Sequence, residues 1–167
     1  MSGLDTGMEI KLSQNKITIV DANDYEWLNQ FKWSVLRSRG NNLFYAVRQK
    51  PGKHNKLIYM HREILCPPNN SNIVVDHIDQ DGLNNRRSNL RIATLSQNAA
   101  NRKPRHGESP YRGVHWNRDS MKWCARIGYC SRNYHLGLYE DEKEAAKAYD
   151  AKARELFGEY ARLNFSM

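Results

Sequence analysis

The stretch Val-Val-Asp-His-Ile-Asp at residues 74–79 decides the interpretation of this chain, because it places a carboxylate beside a histidine where an apolar run ends. Two asparagines follow at defined distances: Asn89 is twelve residues and Asn98 twenty-one residues after His77. The intervening residues 81–91 form a polar loop with one glycine and three asparagines. A carboxylate holds a divalent cation, a histidine takes a proton from water, and a carboxamide completes the metal's ligands. The pattern therefore indicates a nuclease with one metal ion.

Residues 73–102 resemble the motif of HNH nucleases. The resemblance implies a strand, a polar loop, a second strand and a helix, which is the ββα-metal arrangement of that family. It also implies that His77 is the general base, that Asp76 and Asn98 hold one divalent cation, and that Asn89 braces the loop that orients the histidine. Many family members have a second histidine at the position of Asn98. A carboxamide there suits a hard cation, so we expect Mg²⁺ or Mn²⁺, and it is typical of phage and intron-encoded homing endonucleases.

Several residues around the motif have more than one interpretation. Asp79 and Asp81 are either metal contacts or polar residues of the loop. His61, which precedes an arginine, has a structural role, a phosphate contact or a catalytic role. Asn101 either braces the site or lies on the helix face that begins after a Thr94/Gln97 capping box.

The positive charge of the chain is clustered. The formal net charge is +8, and residues 84–112 hold seven Lys and Arg but only one acidic residue. Such a cluster indicates a polyanionic partner, and nucleic acid before membrane. We predict that duplex phosphates contact Arg86, Arg87, Arg91, Arg102, Lys103, Arg105 and Arg112.

The remaining composition narrows the class of protein. The 167 residues suit one sizeable domain or two small ones. The three cysteines, at positions 66, 124 and 130, form no CxxC pair, so neither a disulfide framework nor a four-cysteine zinc site is indicated. The sequence has no apolar h-region near its start and no apolar run near 18 residues, so neither a signal peptide nor a spanning helix is expected. We expect an intracellular monomer, with no membrane partner and no small-molecule substrate.

The part before the motif is rich in strand signals. Two pairs of short apolar runs, 9–12 with 16–20 and 33–37 with 43–48, flank polar turns and predict hairpins. A short helix is expected after Asp21, and a further strand over 57–60. The aromatic residues of this part are expected in a core, and they are Tyr25, Trp27, Phe31, Trp33, Phe44 and Tyr45.

Residues 111–165 predict a second unit of three strands and a helix. Strands are expected over 111–114, 122–127 and 134–137. Asp141 and Glu144 make a capping box for a helix that ends at Gly158. The phrases YRGV and LGLYEDEKEAAKAYD and the closing Asn164-Phe165 resemble the AP2 DNA-binding domain. In that family a three-stranded antiparallel sheet enters the major groove and one helix packs behind it.

Alternation along the strands assigns the two faces of this sheet. The face toward the helix is predicted to hold Val114, Trp116, Trp123, Ala125, Ile127, Tyr134 and Leu136. The opposite face, which would read DNA, is predicted to hold Arg112, His115, Asn117, Lys122, Cys124, Arg126, Asn133 and His135. Several positions differ from the plant AP2 pattern, so the plant target sequence is not transferred to this chain.

Together these patterns predict an α+β chain. We expect a flexible start (1–7), an HNH nuclease domain with a β-rich N-terminal part (8–102), a basic linker (103–110) and an AP2-like domain (111–165). The leading hypothesis is a homing-type, site-specific DNA endonuclease that hydrolyses a phosphodiester and nicks one strand. The alternative is an AP2-type sequence-specific DNA-binding regulator without nuclease activity. An RNA-binding or structural protein is a third hypothesis, against which the AP2-like sheet argues.

Overall fold

A computed structural model describes residues 7–38, 43–52, 56–102, 108–130 and 132–165. The chain divides into two compact units, Met1–Thr94 and Leu95–Met167. The predicted turn at 40–42, most of the predicted flexible start and residues 103–107 of the predicted linker lie outside the described residues, and so do Lys103 and Arg105. No helix in the described ranges is long and apolar enough to cross a membrane.

The first unit contains seven strands and two short α-helices within its described residues. They are β1 (Met8–Lys11), β2 (Ile17–Val20), α1 (Ala22–Leu28), β3 (Ser34–Arg37), β4 (Phe44–Gln49), β5 (Leu57–Tyr59), α2 (Met60–Leu65), β6 (Ile73–His77) and β7 (Leu90–Thr94). The strands form three antiparallel sheets, in the orders β1-β2, β3-β4-β5 and β6-β7. Both predicted N-terminal hairpins are therefore present.

The helix α2 was not predicted. The strand expected over 57–60 ends at Tyr59, and the chain turns at once into six helical residues that end at Cys66, whose φ is 44°. Met60, His61 and Ile64 are buried on one side of this helix. Six residues are too few for a helical repeat to stand out in the sequence.

The core of the first unit is a cluster of apolar side chains from most of its elements. Its buried members are Ile10, Leu12, Val20, Leu28, Trp33, Val35, Ala46, Met60, Ile64, Val75 and Leu90. Trp33 was expected there and is 2% exposed. The core prediction is wrong for Phe31, which is 40% exposed and lies under the guanidinium group of Arg48.

The second unit contains a short helix, three strands and a long helix in the part that the structure describes. They are α3 (Leu95–Ala100), β8 (Val114–Asn117), β9 (Lys122–Tyr129), β10 (Arg132–Tyr139) and α4 (Glu142–Phe157). The strands form one antiparallel sheet with β9 in the centre, and the register of β9 and β10 shifts between His135 and Gly137.

The first strand of this sheet begins three residues later than predicted, at Val114. Gly113 precedes it with a φ of 75°, a left-handed conformation that glycine adopts without strain. A Cβ at this position would lie 2.0 Å from the ring of Tyr149, so the ring packs directly on the backbone. The turn therefore seats the strand against α4.

The long helix α4 begins and ends as predicted. The side chain of Asp141 accepts a hydrogen bond from the backbone N–H of Glu144 at 2.9 Å, and Gly158 caps the other end with a φ of 53°. One face of α4 is buried against the sheet by Ala145, Ala146, Tyr149, Ala153 and Phe157.

The short helix α3 packs within the second unit. Ala100 is buried in one cluster with Tyr149 and Ala153 of α4. The guanidinium group of Arg112 donates a hydrogen bond to the carbonyl of Ala99 at 2.7 Å and others to the carbonyl of Arg102 and the hydroxyl of Tyr149. Arg112 therefore holds the C-terminal end of the helix that carries Asn98.

Candidate active site

The pairing of β6 with β7 brings the histidine and its neighbouring carboxylate to the end of a buried strand. Asp76 lies opposite Arg91 and His77 opposite Leu90 in the antiparallel register. Asp76 is 4% and His77 6% exposed. Such burial of two ionisable side chains requires specific polar partners.

The partner of Asp76 is Arg91. The Nε and Nη2 groups of the arginine donate to Oδ2 of the carboxylate, at 2.9 Å and 2.8 Å. Both side chains are largely buried, 13% exposed for Arg91 and 5% for Asp76. Arg91 was predicted to contact DNA, and the structure places its guanidinium group on the predicted metal ligand.

His77 is held by an asparagine that the sequence analysis did not single out. Nε2 of His77 lies 3.2 Å from Oδ1 of Asn85, which is fully buried. The amide group of Asn85 donates in turn to Oγ1 of Thr18 on β2, at 2.7 Å. The only sequence signal for this role is the position of Asn85 in the polar loop, which it shares with other asparagines.

Aromatic rings surround the histidine. The ring of His61 on α2 meets the ring of His77 edge to face, with 5.0 Å between the centroids. Tyr45 contacts both histidine rings, and Tyr59 contacts His61. A Cβ on Gly82 would lie 2.6 Å from the Tyr45 ring, so only glycine lets the loop approach β4 this closely. Of the three roles left open for His61, the structure supports the structural one, because its ring packs against the predicted base.

Burial sets the protonation of both histidines. Desolvation lowers the pKa of His77 below its ordinary value of 6.5, although the hydrogen bond with Asn85 and the charges of nearby aspartates oppose this. Desolvation, and then the charges of His77 and Arg62, lower the pKa of His61 to about 3. Nδ1 of His61 is buried without a hydrogen-bond partner among the described residues. Both rings are therefore neutral at neutral pH.

This burial predicts a loss of stability in acid. The unfolded chain binds a proton at His61 below pH 6.5, while the folded chain resists it down to about pH 3. Stability therefore falls as pH falls through this window, by about 2 kcal/mol between pH 7 and pH 5 from His61 alone. We expect His61→Phe, which keeps a ring without a titrating group, to lose this part of the slope. Urea unfolding at several pH values measures it, and equal slopes for both proteins would contradict the assignment.

Asn89 braces the loop that follows the histidine. Its Oδ1 accepts a hydrogen bond from the backbone N–H of Asp79 at 3.0 Å, and its amide group donates to Oδ1 of Asp79 and to the carbonyl of Asn84. These three hydrogen bonds are what a residue that orients the histidine through its loop would make, and the orienting role itself stays a prediction.

The two aspartates with open roles are engaged inside the same loop. Asp79 accepts hydrogen bonds from Asn84, Asn89 and the backbone of Asp81. Asp81 accepts one from the backbone N–H of Leu83. These contacts favour loop structure over metal binding for both carboxylates.

The second predicted metal ligand lies in the other unit. Asn98 is half-buried on α3. No three His, Cys, Asp or Glu side chains among the described residues are grouped so as to hold a metal ion. The predicted pair is of another kind, one carboxylate and one carboxamide, and its oxygen donors fit Mg²⁺ or Mn²⁺.

The basic residues near the loop differ in how firmly they are held. Arg87 donates to both carboxylate oxygens of Asp24, and this hydrogen bond raises its pKa. Its side chain is still 52% exposed. Arg86 donates to the side chain of Asn84, and Arg102 is exposed.

The outer face of the β8-β9-β10 sheet carries most of the residues predicted there. Arg126, Asn133 and His135 are exposed, and His115, Asn117 and Lys122 are half-buried. Burial, the charge of Arg126 and, less strongly, His135 lower the pKa of His115, although Glu108 opposes this. A polar, basic surface of this kind suits the edges of bases and phosphates.

On this sheet the Arg112 side chain does not lie on the predicted face, and Cys124 and Tyr134 differ from the expectation only in how exposed they are. Arg112 turns toward α3 and α4 instead of the outer face, as described above. Cys124 is 5% exposed because it lies on the central strand, with its Sγ 3.3 Å from Nδ1 of His135. Tyr134, predicted to pack on the helix, is 39% exposed because it lies on the edge strand β10.

Comparisons with known proteins cover the stretch that contains this site. A family model described as "HNH endonuclease" matches residues 67–100. An uncharacterized HNH endonuclease of Acanthamoeba polyphaga mimivirus is 30% identical over 155 residues, which is 92% of this chain and 78% of the relative. Protein 3.8 of Escherichia phage T7 is 29% identical over 89 residues, 53% of this chain and 73% of that protein.

Plant transcription factors are also similar over a shorter stretch. APETALA2-like protein 2 of Oryza sativa subsp. indica is 36% identical over 66 residues, 40% of this chain. An AP2-like ethylene-responsive transcription factor of Arabidopsis thaliana, AIL7, is 43% identical over 63 residues, 36% of this chain. The matches span only 15% and 13% of these relatives, so they concern one part of each protein.

Proposed function

We propose that this chain, which belongs to the HNH endonuclease family, is a site-specific DNA endonuclease of the homing type that nicks one strand of a duplex. The observation that carries the proposal is the buried, neutral His77 at the end of β6, next to Asp76 and held by Asn85. The test is metal-dependent conversion of supercoiled plasmid to the open circle.

In the proposed reaction His77 is the general base. Its neutral imidazole takes a proton from a water molecule, which then attacks the phosphorus in line with the leaving 3′ oxygen. The lowered pKa of His77 keeps the neutral form populated at neutral pH. We therefore expect the cleavage rate to be highest there and to fall in acid. Asn89 keeps the loop folded behind the histidine by its three hydrogen bonds.

Asp76 and Asn98 are the proposed ligands of one divalent cation, Mg²⁺ or Mn²⁺. In this proposal β6, β7 and α3 form the ββα-metal arrangement of the family. When bound, the cation would neutralise charge on the phosphate and on the departing oxygen. Arg91 compensates the charge of Asp76 in the protein and limits the rotamers of this carboxylate.

The second unit is the proposed reader of sequence. We take its sheet as AP2-type, with the outer face of β8-β9-β10 in the major groove. Arg126 and Asn133 are exposed there and have the donors and acceptors that read guanine and adenine. The other basic residues of this region would hold phosphates without reading bases, and they are Arg86, Arg87, Arg102, Lys103 and Arg105. Since one active site cuts one strand for each binding event, nicking fits a monomer.

Substitutions on the outer face and in the basic segment should distinguish base reading from phosphate binding. We expect Arg126→Ala to cost about 1–3 kcal/mol of binding and to relax preference at one base pair. Lys103→Ala should instead weaken binding to all duplexes about equally. The slope of log K against log salt concentration should become shallower by about one, the value for one lost phosphate contact. Lys143→Ala removes an exposed charge from α4, behind the sheet, and is the matched control.

Footprinting of these variants at two salt concentrations measures both effects. If Arg126→Ala weakens all sequences equally, as expected for Lys103→Ala, the sheet does not read bases. Removal of residues 111–167 would not test sequence reading alone. It would also remove α4, on which α3, the helix that carries Asn98, packs.

An AP2-type DNA-binding regulator is the second candidate function. The similarity to plant transcription factors over 63–66 residues favours it. It does not account for His77 and its asparagine supports, which a binding protein does not need. DNA binding without any strand cleavage in Mg²⁺ or Mn²⁺ would favour the regulator.

A further inference from the structure

The hydrogen bonds behind His77 specify which of its two nitrogens carries the proton. Oγ1 of Thr18 has one hydrogen, and it points to the carbonyl of Leu83 at 2.7 Å. Thr18 can therefore only accept from Asn85, whose amide nitrogen lies 2.7 Å away. The same amide nitrogen faces the carbonyl of Gly82 at 3.5 Å. The nitrogen side of the Asn85 side chain is thus fixed toward two oxygen atoms.

The opposite orientation of the amide is excluded by counting donors. It would place Oδ1 of Asn85 against the Thr18 hydroxyl oxygen and the Gly82 carbonyl, with no hydrogen between them. Oδ1 therefore faces Nε2 of His77, 3.2 Å away, and an amide oxygen has no hydrogen to give. Nε2 must then be the protonated nitrogen of the neutral ring.

We propose that Thr18 and Asn85 form a relay that fixes His77 in its Nε2–H form, so that Nδ1 is the nitrogen that takes the proton from water. Asn85 and Thr18 are positioning residues, since they act through His77. The inference rests on the proposed function for the role of His77, but the position of the proton is a property of the protein alone.

The relay gives the N-terminal hairpin a part in the site. Thr18 is fully buried on β2, and the neighbouring Ile19 donates its backbone N–H to the carbonyl of Leu83 and accepts from the backbone N–H of Asn85. The hairpin is thus bonded to the catalytic loop by the main chain and by the Thr18 side chain. It supports the base as well as the core.

Nuclear magnetic resonance reads the tautomer directly. In a two-bond ¹H–¹⁵N correlation spectrum of the ¹⁵N-labelled protein at neutral pH, we expect Nε2 of His77 in the protonated range and Nδ1 in the unprotonated range. The signals lost in His77→Ala identify the residue. The opposite pattern in the wild-type protein would overturn the inference, and this reading requires neither substrate nor a substituted relay.

Substitutions of the relay test its effect on cleavage. Thr18→Val removes the hydroxyl at nearly constant shape, and Thr18→Ser keeps it as the matched control. Asn85→Leu removes both the acceptor for Nε2–H and the amide group that donates to Thr18. We expect kcat to fall about 10- to 100-fold in Asn85→Leu and less in Thr18→Val. KM should change little, and Thr18→Ser should retain the Nε2–H signal.

Failure of the relay and failure of the nuclease proposal give different results. A wild-type protein that cleaves DNA while Thr18→Val and Asn85→Leu keep full kcat and the wild-type tautomer overturns the relay alone. A wild-type protein that shows the predicted tautomer but cleaves no DNA overturns the nuclease and leaves the tautomer assignment standing.

Discussion

Replacement of His77 by alanine is expected to lower the cleavage rate by roughly 10²–10⁴, the contribution of a positioned general base. The ring of His77 is buried beside Asp76, its pKa is lowered by desolvation, and in the proposed mechanism it is the proton acceptor. DNA affinity should remain near that of the wild type, because the proposed phosphate and base contacts lie on other residues. Single-turnover cleavage and a gel-shift titration measure the two quantities separately.

A lower cleavage rate can be assigned to the loss of the base only if the His77→Ala protein is folded. Its melting temperature and circular dichroism should match the wild type, apart from the effect of lost ring contacts with His61 and Tyr45. Lys143→Ala, which removes an exposed side chain from α4 behind the sheet, is the control and should keep the cleavage rate. Near-wild-type nicking by folded His77→Ala would remove this residue from the mechanism.

Withdrawal of divalent metal is expected to abolish cleavage, and loss of either proposed ligand should weaken metal dependence. Asn98→Ala is the cleaner substitution, since Asn98 is half-buried on a helix and alanine is a good helix former. Asp76→Ala leaves Arg91 without the carboxylate that it contacts, so Asp76→Asn is the better choice at that position. Raised Mg²⁺ or Mn²⁺ should partly restore activity in at least one variant.

Binding of Mn²⁺ gives a readout that is independent of cleavage. Electron paramagnetic resonance of free Mn²⁺ in a protein titration should show weaker binding in both variants than in the wild type. Ser96→Ala, which removes a polar side chain from the same helix, is the comparison for Asn98→Ala. Activity that persists in excess chelator would contradict the one-metal scheme.

The parts of the fold that could be predicted from sequence are those set by local chemistry. Period-two alternation and polar turns located β1 to β4, and the Asp141 capping box with Gly158 located α4. The spacing of Asp76, His77 and Asn89 predicted the loop of the candidate site, because these residues lie close together along the chain.

The parts that could not be predicted depend on contacts between distant segments. The bond from Asn85 to Thr18 spans 67 residues and has no local signal. The burial of His61 against His77 needs the helix α2, which is too short to show a repeat. Arg91 was taken as a DNA contact from its charge, but the β6-β7 register sets it opposite Asp76. Charge alone does not distinguish an arginine that pairs internally from one that meets phosphate.

The same reasoning applies to the helix that carries Asn98. Its sequence predicts a continuation of the nuclease motif, yet α3 groups with the second unit, where Arg112 and α4 hold it. If Asn98 is a metal ligand, as we propose, then substitutions that loosen the second unit should also reduce metal binding.

The most direct test of the central claim is a plasmid-nicking assay with wild-type protein and the His77→Ala variant, purified in parallel. The account predicts that the wild type converts supercoiled plasmid carrying its target to open circles in Mg²⁺ or Mn²⁺, and that neither excess chelator nor the variant gives this product. DNA binding by the wild type without nicking in either metal, or equal nicking by both proteins, would contradict it.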